Sequence, residues 1–153
     1  MKANQRMKAL LHDVQGVSKP LPTALLGIGK AAFISEEGCY FLDALYHGRG
    51  NATLHSFPDE TGYECFVNHL HLDDYAVGSA NQVGLALTLM QNIKSQWRES
   101  KYSALPLEFV VSVDDSSCVL RFHVLRQGQR YLDEDLEAYK EDAVLVSDCE
   151  SKS

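Results

Sequence analysis

The stretch Leu107-Glu-Phe-Val-Val-Ser-Val-Asp-Asp-Ser-Ser-Cys-Val-Leu-Arg-Phe-His-Val124 decides the fold. Two runs rich in β-branched and aromatic residues flank Asp114-Asp115-Ser116-Ser117, whose short polar side chains bond readily to nearby backbone and so favour a turn. With Asp115-Ser116 at the turn, antiparallel pairing sets Val113 opposite Cys118, Val111 opposite Leu120, Phe109 opposite Phe122 and Leu107 opposite Val124. That face is wholly apolar and must lie on a core. The other face pairs Ser112 with Val119, Val110 with Arg121 and Glu108 with His123, a mixed surface expected to be partly wet.

The segment upstream supplies the covering layer. Ala86, Leu89, Met90, Ile93 and Trp97 recur at helical spacing, and Lys94, Arg98 and Lys101 place positive charge toward the C-terminal end. Ser79 and Gln82 are expected to form a capping box, and Gly84 to allow a close approach to a strand. Met7, Leu10, Leu11 and Val14 form a second helical stripe. Residues 23–34 are apolar with Gly27 and Gly29 inside, and read either as a buried helix or as an irregular packed segment. Ser35-Glu36-Glu37 before Phe41, Leu42, Leu45 and Tyr46, with Gly48 behind, predicts a capped helix, against a rival strand over Cys39 to Tyr46. Ala52 to Phe57 and Tyr63 to Leu72, joined by Pro58-Asp59-Glu60-Thr61-Gly62, predict a hairpin. Downstream, Asp133 to Glu141 reads as a short helix with Leu136 and Tyr139 inward, and Ala143 to Val146 as a last edge strand. The sum is an α+β fold in a single domain over residues 1–153: an antiparallel sheet of four to five strands with helices packed mainly on one face.

Composition agrees with one globular unit, because 153 residues suit one core, and 45% hydrophobic and 23% charged residues are ordinary values. The Ser18-Lys19-Pro20-Leu21-Pro22 stretch is too short to divide domains. The N-terminal apolar run ends at Ala9-Leu10-Leu11, short of a signal-peptide core, and no run of apolar residues reaches membrane-spanning length. Both point to a soluble, cytoplasmic protein. Cys39, Cys65, Cys118 and Cys149 stand far apart with no C-x-x-C pair, as buried reduced thiols do.

The net charge of −7 is unevenly placed. Asp133, Glu134, Asp135, Glu137, Glu141, Asp142, Asp148 and Glu150 face one cation, Lys140, so nearly all the excess falls between residues 133 and 150. Such a surface repels nucleic-acid phosphates and attracts a basic protein. Its plainer reading is a solvated helix followed by a frayed tail over 148–153.

Asn68-His-Leu-His-Leu-Asp-Asp-Tyr75 holds the strongest hint of metal chemistry. On a strand, His69, His71 and Asp73 would share a face, with His55 approaching from the preceding strand. No H-E-x-x-H or C-x-x-C accompanies them, and Asp73 and Asp74 have turn or capping roles open to them, so the metal set His69, His71 and His55 ranks second. Glu108 facing His123 could tune an imidazole into a base, yet Cys118 points to the opposite face and no other nucleophile is assigned. Gly27-Ile28-Gly29-Lys30-Ala31 lacks the glycine spacing and Ser/Thr of a phosphate loop. No cofactor, catalytic residue or nucleic-acid contact is therefore expected.

With residues 118–139, Cys-Val-Leu-Arg-Phe-His-Val-Leu-Arg-Gln-Gly-Gln-Arg-Tyr-Leu-Asp-Glu-Asp-Leu-Glu-Ala-Tyr, the chain resembles small bacterial immunity proteins of polymorphic-toxin and contact-dependent growth-inhibition systems in size, acidity and α+β texture. The resemblance implies a cytoplasmic, non-enzymatic antitoxin, most simply a monomer, that occludes a cognate toxin domain, often a basic nuclease. Asp133, Glu134, Asp135, Glu137, Glu141 and Asp142, with Tyr139, are then the expected contact. The alternatives are a metal-dependent or small-ligand protein using the His69/His71 strand, and an effector chaperone or adaptor.

Overall fold

A computed structural model of the chain describes residues 1–14 and 20–151. The Ser18-to-Pro22 stretch lies partly, and the tail beyond Ser151 wholly, outside these residues. The 107–124 hairpin forms in the expected register: β5 (Leu107–Val113) and β6 (Cys118–Val124) pair at all seven positions from Leu107–Val124 to Val113–Cys118. They are the centre of a five-stranded antiparallel sheet ordered β1-β7-β5-β6-β4, where β1 is Lys2–Ala3, β4 is His69–His71 and β7 is Ala143–Cys149.

The apolar face carries the main core. Met7 of α1 (Gln5–Val14), Leu25 of α2 (Thr23–Gly29) and Val83, Ala86, Leu89, Met90, Ile93 and Trp97 of α5 (Ser79–Glu99) pack on Phe109, Val111, Leu120, Phe122 and Leu145. The fold is thus α+β with these helices on one face, as the hydrophobic periods require. The capping box does not form: Gly78, at φ 90°, takes the cap position and the Gln82 side chain donates through Nε2 to the Ala76 carbonyl at 3.0 Å. Gly84 approaches α1, where a Cβ would meet Val14 at 3.7 Å, instead of a strand.

Four further expectations need correction. Ser35 to Gly48 is not a helix. It is a hairpin of β2 (Phe33–Glu36) and β3 (Cys39–Leu42), followed by the single helical turn α3 (Asp43–Tyr46), so the strand alternative holds only as far as Leu42. Glu37 and Gly38 both have positive φ (52° and 79°), the two-residue turn whose twist matches paired strands. The second hairpin is also absent. Leu54–Ser56 is a 3-10 turn, and Tyr63 falls in α4 (Glu60–Val67), because Asp59 caps that helix by accepting from the Gly62 amide at 2.7 Å; only His69–His71 is strand. Asp133 to Glu141 keeps only a 3-10 turn at Leu136–Ala138, since Asp133 and Asp135 each accept the amide two residues on and hold the chain in Asx turns. Finally, β7 is interior. Lys2 and Ala3 pair with Val146 and Leu145 on its outer side, and it runs through Asp148 and Cys149, so the tail is strand at those two residues.

The junction of the two sheets is made by side chains. Strand β4 begins at His69, and before it β6 finds partners on α4 and on Asn68, the residue that ends that helix: the Phe122 amide donates to the Asn68 carbonyl (3.2 Å) and the Val124 amide to Glu64 Oε1 (2.8 Å). From the other side, the Tyr40 and Leu42 amides of β3 donate to Glu64 Oε2 (2.7 Å) and Asn68 Oδ1 (3.1 Å). Glu64 and Asn68, one helical turn apart and both fully buried, replace the missing strand between β6 and β3.

Candidate functional site

The second face of the main sheet is built from rows of directly opposed residues. Asp148, Glu108 and His123 form one row; Lys2, Val146, Val110, Arg121 and His69 the next; Val144, Ser112, Val119 and His71 a third. The segment between β6 and β7 runs across this face as a strap. Val110, Val119, His123 and Val144 are consequently buried, so this surface is drier than its sequence suggests.

The strap is fixed by the start of α1. Asn4 donates to the Leu136, Tyr139 and Asp142 carbonyls (3.3, 3.4 and 2.8 Å), and its Oδ1 accepts from Val144 and, as the helix cap, from Met7. Both oxygens of Glu137 accept the Gln5 amide at 3.1 Å, where a carboxylate also complements the helix dipole, and Arg6 Nε donates to the Lys140 carbonyl at 2.6 Å. The Asp133 amide donates to the Tyr139 hydroxyl at 2.8 Å.

The seven expected contact residues therefore divide by role. Glu137, Tyr139 and one oxygen each of Asp133 and Asp135 shape the strap. Glu134, in a largely exposed pair with Arg130, and Glu141 are exposed, while Asp142 is half-buried. The structure adds acids that the linear charge count missed. Asp13, Asp114 and Asp115 line one shallow depression of about 340 Å³ with Glu141 and Arg6. Asp114 is held below the usual carboxylate range by the Ser116 and Ser117 amides, which makes it a turn residue; Asp115 stays exposed. The consecutive aspartates at the hairpin tip were the visible signal.

Under the strap, Glu108 Oε1 lies 3.1 Å from His123 Nε2, and His123 Nδ1 lies 2.9 Å from the Val124 carbonyl. Burial and the neighbouring Glu108 charge push the Asp148 carboxyl up. These groups floor or adjoin a depression of about 530 Å³ whose other lining residues include Lys2, Gln129, Arg130, Leu132, Asp133 and Glu134, with no serine, threonine or cysteine among the lining residues described. The Glu108–His123 contact is a hydrogen bond between directly opposed residues of β5 and β6, and it ties the two strands together on this face. The Cys39 and Cys118 thiols are pushed up to about 12, and Cys65 higher, chiefly by burial, which makes them structural.

His69 and His71 do share a face, with ring centroids 5.5 Å apart. Asp73 sits in a 3-10 turn, 3.5 Å from His71 Nδ1, and accepts the Cys118 amide at 2.9 Å, which lowers its pKa; it anchors the β5–β6 hairpin rather than capping α5. His55 is exposed in its own 3-10 turn, and it is not among the residues that line the depression around His69 and His71. Among the described residues no three metal-ligating side chains converge, and Arg121, the residue directly opposite His69, opposes a cation there. Sequence reasoning missed one further feature, the Glu64–Arg126 pair: Arg126 donates to both Glu64 oxygens, to Thr61 Oγ1 and to the Gly38 carbonyl. Among the described residues no fully buried side-chain nitrogen or oxygen lacks a hydrogen-bond partner, and this cluster is no exception, as befits a scaffold.

The chain belongs to the family described as the Uncharacterized protein PM0498 family, which it matches over residues 2–153. No curated protein and no solved structure is significantly similar to it.

Proposed function

We propose that this member of the family is a non-catalytic immunity protein, which neutralises a basic toxin domain by laying the acidic strap across its substrate-binding cleft. The carrying observation is that the strap's carboxylates are presented on backbone already fixed by Asn4, Glu137 and Arg6. A rigid acidic surface loses little conformational freedom on binding and steers a cationic partner at long range. Asp133, Glu134, Asp135, Glu137, Glu141 and Asp142, with Tyr139, form the contact, and Asp115 extends it.

The test replaces Glu134, Glu141 and Asp115 together by lysine, because none of the three holds the strap's shape. Affinity for the toxin domain should fall at least about tenfold, with a flatter salt dependence. Unchanged affinity in the folded triple variant would reject the interface. Co-expression with the toxin should rescue growth; binding without rescue would instead identify an effector chaperone or adaptor.

A further inference from the structure

Beside the strap, on the same face of the sheet, a second depression of about 350 Å³ is lined by Gly62, Cys65 and Phe66 of α4, His69 and His71 of β4, Arg121 of β6, and Tyr131. Its charge is opposite to that of the strap. Arg121 is half-buried and makes no ion pair among the described residues; its guanidinium donates one long bond to Ser112 Oγ (3.4 Å) and stands 5.8 Å from the centre of the Tyr131 ring. A partly desolvated guanidinium normally finds a carboxylate. In a chain of net charge −7, carboxylates are plentiful, yet this position faces two imidazoles instead.

The neighbours are also oriented. His69 Nδ1 donates to the Phe66 carbonyl at 2.5 Å, which pins the ring and leaves Nε2 uncommitted. Phe66 is 46% exposed, a large apolar ring left open at the rim, 6.1 Å from the His69 ring. The Cys65 thiol, buried and pushed far up, supplies no nucleophile.

We infer that this depression binds a small aromatic oxyanion, whose phosphate or carboxylate group is held by Arg121 with His69 and His71 and whose ring lies against Phe66 and Tyr131. The guanidinium fork matches the paired oxygens of either group. The volume suits one ring with one such group. Because Tyr131 opens the strap, the ligand touches the same segment that carries the acidic surface, but the site stands independently of any partner protein.

The experiment is an amide-resolved NMR titration of the full chain with phenyl phosphate, benzoate and inorganic phosphate. Phenyl phosphate or benzoate should saturate below about 10 mM and shift the Phe66, His69 and Arg121 amides, and which of the two binds tighter identifies the oxyanion. Arg121→Gln should weaken that binding about tenfold or more, with Arg121→Lys between it and the parent, while Phe66→Ala should weaken the aromatic probes and leave inorganic phosphate unchanged. Lack of saturation by both aromatic probes, or equal affinity in folded Arg121→Gln, would overturn the site. Equal affinity for inorganic phosphate and phenyl phosphate would overturn the aromatic half of the assignment.

Discussion

Replacing Glu64 by alanine removes the side chain that stands in for a strand between β6 and β3. Its carboxylate accepts two backbone amides, Tyr40 and Val124 at 2.7 and 2.8 Å, and two nitrogens of Arg126, while the residue itself is fully buried. Two unsatisfied buried amides cost about 1 to 3 kcal/mol each. Breaking a buried ion pair costs about 3 to 5 kcal/mol, part of which is the same desolvation counted again. Arg126 keeps its bonds to Thr61 and Gly38, which limits the loss, so the net effect should be about 4 to 6 kcal/mol, much of a typical domain's stability. Trp97 reports the consequence locally, since its ring meets Phe33 at 4.9 Å and Tyr40 at 6.0 Å, both on the β2–β3 hairpin. Urea unfolding followed by Trp97 fluorescence and far-ultraviolet circular dichroism should show the destabilisation, with a red-shifted native emission as the hairpin undocks. In a cycle with Arg126→Met, the second substitution should be much less damaging once Glu64 is gone. A loss below about 1 kcal/mol, or additive single effects, would refute the account of this junction.

Three further outcomes are expected. Lys94→Met should raise stability by about 1 kcal/mol in chemical denaturation, because the buried ammonium meets no carboxylate among the described residues, only Ser147 Oγ at 2.6 Å and the Phe109 ring at 5.5 Å, and burial depresses its pKa from 10.5. The depressed pKa means the penalty is full at neutral pH and fades as pH climbs toward 10.5, so the advantage of the variant should narrow there. Asp73→Ala should lower the melting temperature by a few degrees at pH 7, and the gap from the parent should close as pH falls below the ordinary value of 3.8, since the depressed carboxyl stabilises only while ionised. With Cys39, Cys65, Cys118 and Cys149 all buried, a disulfide-exchange thiol reagent at pH 8 should leave the native protein nearly unlabelled and titrate all four thiols in denaturant; fast native labelling would contradict their structural role.

The sequence was most legible where one periodicity had one interpretation. The β5–β6 register follows from a wholly apolar face and a four-residue polar turn, and α1 and α5 from unbroken stripes such as Ala86-Leu89-Met90-Ile93-Trp97. The Tyr63 to Leu72 strand held only at His69–His71 and failed over Tyr63–Val67, because those residues also fit a helix, in which Tyr63 and Val67 stack one turn apart; the deciding cue was Asp59 as a cap, not the pattern itself. Ser35 to Tyr46 failed because a helical composition conceals a turn at Glu37-Gly38 that needs two positive φ values. Of the site, the acidic residues were visible as a charge run. Their anchoring by Asn4 and their continuation through Asp115 depend on contacts more than a hundred residues apart in one case and on a hairpin tip in the other, which no local pattern encodes. Arg121 drew notice only as a cross-strand neighbour, because whether a guanidinium has a partner is a three-dimensional property.

The most direct test of the acidic strap is affinity purification of the tagged protein from its native cell at low salt, beside the Glu134→Lys, Glu141→Lys, Asp115→Lys variant, with mass spectrometry of both eluates. The account predicts one stoichiometric basic polypeptide, toxic when expressed alone, that is retained by the parent and lost from the charge-reversed protein. Equal retention of a stoichiometric partner by both proteins, or a partner that is acidic and harmless, would contradict it.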